Sequence, residues 1–182
     1  MQVSFFQSIT TRTAGFATVP QENLTNGSSV LCLLLMFIGG SPVGTAGGIK
    51  TVTVAVLAVS ALATIRNQND VTLFNRTISR QAVNKAVAVA AMSFAILFGS
   101  TMLLCAVTDA SALDIVYETV SATATVGLTR NLTPYLSSAG KAVIIAPMYL
   151  GRVGPISLAL ALNSSKKHRN LIKNPTEDIS VG

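Results

Sequence analysis

From residue 30 to residue 65 the chain carries a single charge, Lys50, in a stretch far longer than the ~20 apolar residues that one membrane span requires. Something must interrupt it. The sequence supplies the interruption as Gly39-Gly40-Ser41-Pro42-Val43-Gly44-Thr45-Ala46-Gly47-Gly48. Glycine destabilises a helix interior and proline removes one of its hydrogen bonds, so this run cannot propagate a regular helix. We read a broken helix. Non-helical backbone at membrane depth persists only where protein or a water-filled cavity satisfies its polar groups, which predicts that the break faces a pore or binding site. A close crossing of two helices through small residues is the blander alternative, but the run is too long for a packing notch alone.

Composition favours lipid over water. Of the 182 residues 50% are hydrophobic and 11% charged, where soluble domains carry about 25% charged residues. The net charge is +6, and 8 of the 13 Lys and Arg residues fall in two polar stretches, 66–85 and 166–173. Such clustering is the positive-inside signature and places both stretches in the cytoplasm. Nucleic-acid binding is disfavoured, because no basic face is interleaved with stacking aromatics. Cys32 and Cys105 sit in apolar runs without CxxC spacing, so both are expected to be buried, inert thiols. The one histidine, His168, lies between Lys167 and Arg169 in a solvated tail, and no catalytic constellation accompanies it. The chain is therefore not expected to be an enzyme. Met1 is followed by Gln2, Val3, Ser4, Phe5 and Phe6 without a basic region, which argues against a signal peptide and for a start inside a structural element.

Residues 86–107 are free of charge and suit one complete membrane helix. The next span is expected at 140–162, with Lys141 at its edge and Arg152 near its middle. Two shorter segments, 2–16 and 112–128, each join a short helical stretch to a Thr- and Gly-bearing end, as re-entrant pore loops do. The charge pattern puts these loops outside, where Glu22, Asp109, Asp114 and Glu118 can attract cations. The expected organisation is an all-α membrane protein: residues 1–66 as a pore loop and broken helix, 67–85 as a cytoplasmic linker, 86–162 as a membrane-pore-membrane unit, and 163–182 as a cytoplasmic tail.

An internal repeat ties the two loops together. Thr11, Thr13 and Gly15 match Thr123, Thr125 and Gly127 at one offset, 127 − 15 = 112, which also carries Phe5 onto Tyr117 and Phe37-Ile38-Gly39 onto Tyr149-Leu150-Gly151. The loop ends read Thr13-Ala14-Gly15-Phe16 and Thr125-Val126-Gly127-Leu128. Each is similar to the first three positions of the Thr-Val-Gly-Tyr-Gly potassium filter, in which backbone carbonyls replace the ion's water. Phe16 and Leu128 replace the tyrosine, and no glycine follows either. Arg12, inside the first strip, is expected to point away from any cation path.

With these residues in view, the sequence resembles the Trk/Ktr family of potassium transporters, near its Ktr membrane subunit. The resemblance is carried by Thr10-Thr11-Arg12-Thr13-Ala14-Gly15-Phe16, by residues 39–51 ending Ala46-Gly47-Gly48-Ile49-Lys50-Thr51, and by Gly151-Arg152-Val153-Gly154-Pro155. It implies four membrane-pore-membrane repeats around one pore, of which this chain would supply part of the third and all of the fourth. It also implies a filter at Thr13, Ala14, Gly15, Phe16, Thr125, Val126, Gly127 and Leu128. A gate below that filter is implied at Gly39, Gly40, Ser41, Gly44, Thr45, Ala46, Gly47 and Gly48, with Lys50 beside it. Arg152 would project toward the same constriction; at mid-helix an arginine costs about 2.5–3.5 kcal/mol and is tolerated when it faces a cavity or partner. The implied substrate is potassium, with sodium as a further candidate ion and no covalently bound cofactor. The implied setting is a bacterial plasma membrane, with a homodimer of multi-pass subunits docked on a cytoplasmic nucleotide-binding regulatory subunit.

Three other readings compete with this one. A Walker loop at residues 44–51 needs Gly-Lys-Thr contiguous, and Ile49 separates Gly48 from Lys50. A secondary transporter with a midplane site at its broken helices often shows inverted repeats, whereas this repeat has one sense. A fragment that does not conduct alone is compatible with two of four filter segments.

Overall fold

Hydroxyl side chains open four of the helices. Thr25, Ser79, Ser111 and Ser137 each accept a hydrogen bond from the backbone N–H three residues on, meeting one of the unpaired donors of a helix start. The computed structural model describes residues 2–41, 46–68, 70–73 and 76–154. Along them run α1 (Gln2–Thr10), α2 (Asn26–Phe37), α3 (Thr51–Ile65), α4 (Arg80–Val107), α5 (Ala112–Thr123) and α6 (Ser138–Val153). Short 3-10 turns stand at Gln21–Asn23 and Thr133–Tyr135. The departure from an all-helical fold is a small antiparallel hairpin, β1 (Thr72–Leu73) and β2 (Arg76–Thr77), with Thr72 opposite Thr77 and Leu73 opposite Arg76.

The expected break is present. Helix α2 ends at Phe37 and α3 begins at Thr51, and the intervening loop is pinned at its neck rather than left open. Ile38 and Ile49 form a parallel bridge: the Gly39 N–H donates to the Ile49 carbonyl at 2.9 Å and the Ile49 N–H to the Phe37 carbonyl at 3.0 Å. Helix α4, with 28 residues, is long and apolar enough to cross a membrane. It starts at Arg80, ahead of the expected residue 86, because Ser79 caps it there. Helix α6 starts at Ser138 and ends at Val153, where Gly154 adopts φ 85 and its N–H closes onto the Leu150 carbonyl. Arg152 thus occupies the last turn of α6; a left-handed glycine followed in sequence by Pro155 is a usual helix stop. Residues 155–162 of that expected span lie outside the described residues, as do Pro42, Val43, Gly44, Thr45, His168 and the whole tail 163–182.

The 112-residue offset also separates the starts of two pairs of elements. The 3-10 turn at Gln21 and helix α2 at Asn26 begin 112 residues before the 3-10 turn at Thr133 and helix α6 at Ser138. Packing around the two short helices differs, however. Helix α5 is enclosed: Cys32, Met36, Tyr117, Val120, Ala124, Val126 and Leu128 form one cluster against α2, and Leu104, Ile115, Ala122, Leu136 and Ile144 form another against α4 and α6. On α1, Val3, Phe5 and Ile9 are exposed, although their counterparts Ile115, Tyr117 and Ser121 are buried. Cys105, expected inside, is exposed on the uncovered face of α4, while Cys32 is buried as expected.

Candidate functional site

Helices α1 and α5 each deliver the chain into a strip of unusual handedness. Thr13 and Gly15 have φ 66 and 75, and Thr125 and Gly127 have φ 54 and 92. A β-branched residue in this left-handed region is a genuine outlier, held only where its surroundings require it. That it occurs twice, at the same place in the repeat, marks both strips as built alike.

The N–H groups of each strip turn back onto the helix before it. Those of Ala14 and Gly15 donate to the Thr10 carbonyl at 3.2 and 3.1 Å. In the second strip, the Val126 N–H donates to the Ser121 carbonyl at 2.9 Å and the Gly127 N–H to Ser121 Oγ at 3.2 Å. Because a trans peptide sets its C=O opposite its N–H, the carbonyls of Thr13, Ala14, Thr125 and Val126 point away from those helices. Phe16 is turned differently: its carbonyl accepts from Thr10 Oγ1 at 2.6 Å and its ring is exposed. Leu128 is buried in the core against α2.

The strips meet. A Cβ added to Gly15 would fall on the Val126 carbonyl oxygen, so the two backbones touch where only glycine fits. Beyond them a cavity of about 430 Å³ lies between residues 17–22 and residues Gly127, Leu128, Thr129 and Asn131. Arg12 is exposed, consistent with the expectation that it turns from the strips.

Described residues of the glycine loop pack against the second strip. Gly47 is buried, and a Cβ there would overlap Thr125 Oγ1 and come within 2.6 Å of the Ala124 carbonyl oxygen. Gly48, at φ 72, has the Phe37 carbonyl oxygen 3.0 Å from its Cβ position and the Ala124 side chain at 3.4 Å. A Cβ on Gly39 would fall on the Gly47 carbonyl, and one on Gly40 would lie 2.8 Å from Ala46. Ser41 is exposed, and Lys50 stands at the residue before the first turn of α3. From the α6 side, Gly151 lets the helix approach the Thr123 carbonyl, with Thr125 Cγ2 3.3 Å from its Cβ position. Arg152 follows Gly151 and is exposed. Thr125 Oγ1 is enclosed among these groups and has no hydrogen-bond partner among the described residues. Gly44 and Thr45, named with this loop, lie outside the described residues.

Comparison with known proteins decides the family. The family model described as TrkH, cation transport protein, matches residues 1–170. The chain belongs to the TrkH family. Among its relatives, Ktr system potassium uptake protein B of Bacillus subtilis (strain 168) is 39% identical over 179 residues, covering 98% of this chain and 40% of that protein. The protein of the same name from Vibrio alginolyticus is 38% identical, covering 98% of this chain and 39% of its own length. The Potassium/sodium uptake protein NtpJ of Enterococcus hirae is 36% identical over 186 residues, covering 98% and 41%. This chain is thus a member of the Trk/Ktr family similar to the Ktr B subunit, and it spans about two fifths of the length of these relatives.

Around the strips of this TrkH-family chain lies a polar framework that the sequence reading missed. Glu118, buried on α5, accepts from the Thr129 hydroxyl, from the Thr133 N–H at 3.3 Å and from the Thr133 hydroxyl at 2.9 Å. Asp114 pairs with Arg130 at 2.7 Å. Burial opposes the charge of Asp114, but hydrogen bonds from Arg130 and Ser111, together with the guanidinium charge, outweigh it and hold the carboxyl below its ordinary range. These two acids are therefore engaged with protein donors and are not open to cations as expected; Glu22 and Asp109 are exposed. Gln7 and Gln21, both buried, bond each other, and the Tyr117 hydroxyl donates to Gln21 Oε1 at 3.0 Å. A signal for Arg130 was present: a cation three residues past the repeat's second glycine, where the first repeat has Thr18.

Proposed function

We propose that this chain forms part of a membrane pore for potassium uptake, contributing two filter segments and the gate beneath them. The observation that carries the reading is the meeting of two equivalent strips, whose carbonyls face away from their helices at one place, beside an enclosed Thr125 hydroxyl that has no hydrogen-bond partner among the described residues. A monovalent cation entering there exchanges water oxygens for carbonyl and hydroxyl oxygens, the exchange on which potassium selectivity rests. Helices α1 and α5 end at this place, so the negative ends of their dipoles add to the attraction. Gly47 and Gly48 lie on the Thr125 side of the path, and a neck of backbone hydrogen bonds between Phe37, Gly39 and Ile49 holds the base of the glycine loop there.

In this reading α1 and α5 are re-entrant pore helices, α2 with α3 is a broken membrane helix, and α4 and α6 flank the fourth pore loop of a multi-pass plasma-membrane subunit. The exposed Val3, Phe5 and Ile9 face of α1 fits an assembly in which further helices cover it as α4 covers α5. The remaining filter segments, the homodimer and the regulatory nucleotide-binding subunit lie outside this chain. Sodium is a second candidate ion, given the relative named for both.

The test is a chimera in which this chain replaces the matching 40% of the Bacillus subtilis relative, assayed in cells lacking their own potassium uptake. Thr125→Val keeps the side chain's shape and removes the hydroxyl. We expect the KM for potassium to rise about tenfold, the equivalent of one lost hydrogen-bonding ligand, with unchanged amounts of protein in the membrane. Unaltered potassium uptake would count against Thr125 as an ion ligand.

A further inference from the structure

Arg130 stands three residues beyond Gly127 and makes one contact to each structure that carries a strip. Its Nε donates to Asp114 Oδ1 at 2.7 Å, in the first turn of α5. Its Nη1 donates to the Gln21 carbonyl at 2.9 Å, on the segment that continues the first strip, and to Ser29 Oγ at 2.7 Å, in the first turn of α2. The guanidinium lies 5.9 Å from the Tyr117 ring centroid, and Tyr117 itself bonds Gln21. The Arg130 side chain is 10% exposed and that of Asp114 30%, so the guanidinium end of these bonds is largely withdrawn from water while the carboxylate keeps some contact with it.

We propose that Arg130 is a positioning residue that fixes the distance between the two strips, and thereby sets the ion size the pore accepts. The inference rests on the filter reading above. A filter that prefers a larger dehydrated ion must resist contracting around a smaller one, and that resistance must come from outside the strips, whose carbonyls are turned to the ion. Arg130 ties the second strip's outer end to the first strip's outer end through a planar, pre-organised fork. Any movement of one strip toward or away from the other breaks a charge-assisted bond. Pairing with Asp114 also neutralises a cation that otherwise faces incoming cations at close range. Lysine has a single compact ammonium and cannot span Asp114, Gln21 and Ser29 in one planar arrangement.

The experiment uses the same chimera and measures potassium and sodium uptake in parallel, with the amount of protein in the membrane as a control. Arg130→Gln is expected to lower the potassium-to-sodium ratio about tenfold, the loss of one charge-assisted bond's worth of discrimination, and Arg130→Lys to restore part of it. Ser29→Ala is expected to lower the ratio by less. If Arg130→Gln fails to reach the membrane, the ratios for Arg130→Lys and Ser29→Ala decide: lowered ratios support the proposal. Ratios equal to the parent in these variants, with both ions reduced by one factor, overturn it and leave Arg130 a fold-stabilising residue. Gly127→Ala separates this from failure of the filter itself. A changed ratio there beside unchanged Arg130 variants sinks only the positioning role, whereas no change in either sinks the filter reading.

Discussion

Replacing Gly15 by alanine is expected to abolish potassium uptake by the chimera. Two effects act together. At φ 75 an L side chain is strained by roughly 1–2 kcal/mol, and the added Cβ would fall on the Val126 carbonyl oxygen. The second effect is the larger, because the obstacle is backbone and cannot rotate away. Relief requires the two strips to separate, which moves the carbonyls that are proposed to hold the ion. Gly127 offers a built-in comparison: its φ is 92, but no group of the described residues beyond its chain neighbours lies within 4 Å of its Cβ position. Gly127→Ala therefore carries backbone strain alone and is expected to retain a measurable fraction of uptake. Initial rates of rubidium uptake, normalised to protein in the membrane, check the order. Equal rates for Gly15→Ala and the parent would mean that the strips do not meet at Val126.

Gly47→Ala is expected to have the next largest effect, at least a tenfold loss of uptake, since overpacking of 1–3 kcal/mol onto an unyielding backbone corresponds to about that factor or more. The added methyl would be driven into Thr125 Oγ1 and the Ala124 carbonyl, and the hydrogen-bonded neck at Ile38 and Ile49 prevents the loop from backing away. Gly40→Ala should be milder, because its obstacle is the Ala46 methyl, on the loop itself. Gly99→Ala, in α4 with no other group of the described residues within 4 Å of its Cβ position outside its own helix backbone, is the control and should leave uptake unchanged. If Gly40→Ala proved as damaging as Gly47→Ala, loop stiffness and not contact with Thr125 would be the cause.

Features with a local chemical signature were legible in the sequence. A run of ten residues with five glycines and a proline declares a break wherever it occurs, and α2 and α3 end and begin on either side of it. The 112-residue offset was readable because Thr and Gly recur at the positions whose backbone is left-handed. Boundaries set by a single cap were less so: α4 gains its first turns from Ser79, and α6 stops at Gly154, which moved Arg152 to a helix end. The framework behind the strips was hidden for a different reason. Arg130 meets partners 16, 101 and 109 residues away, and no local pattern announces such contacts. Asp114 and Glu118 read as exposed acids because charge alone does not reveal that Arg130, Thr129 and Thr133 stand ready to receive them.

The central claim is that carbonyl oxygens from both strips hold one dehydrated monovalent cation, and thallium, a heavy mimic of potassium, locates such an ion directly. An anomalous-difference map of the chimera crystallised in thallium should show a peak between Thr13-Ala14-Gly15 and Thr125-Val126-Gly127, weakened when sodium replaces thallium. A map with bound thallium elsewhere and none between those strips would contradict the account.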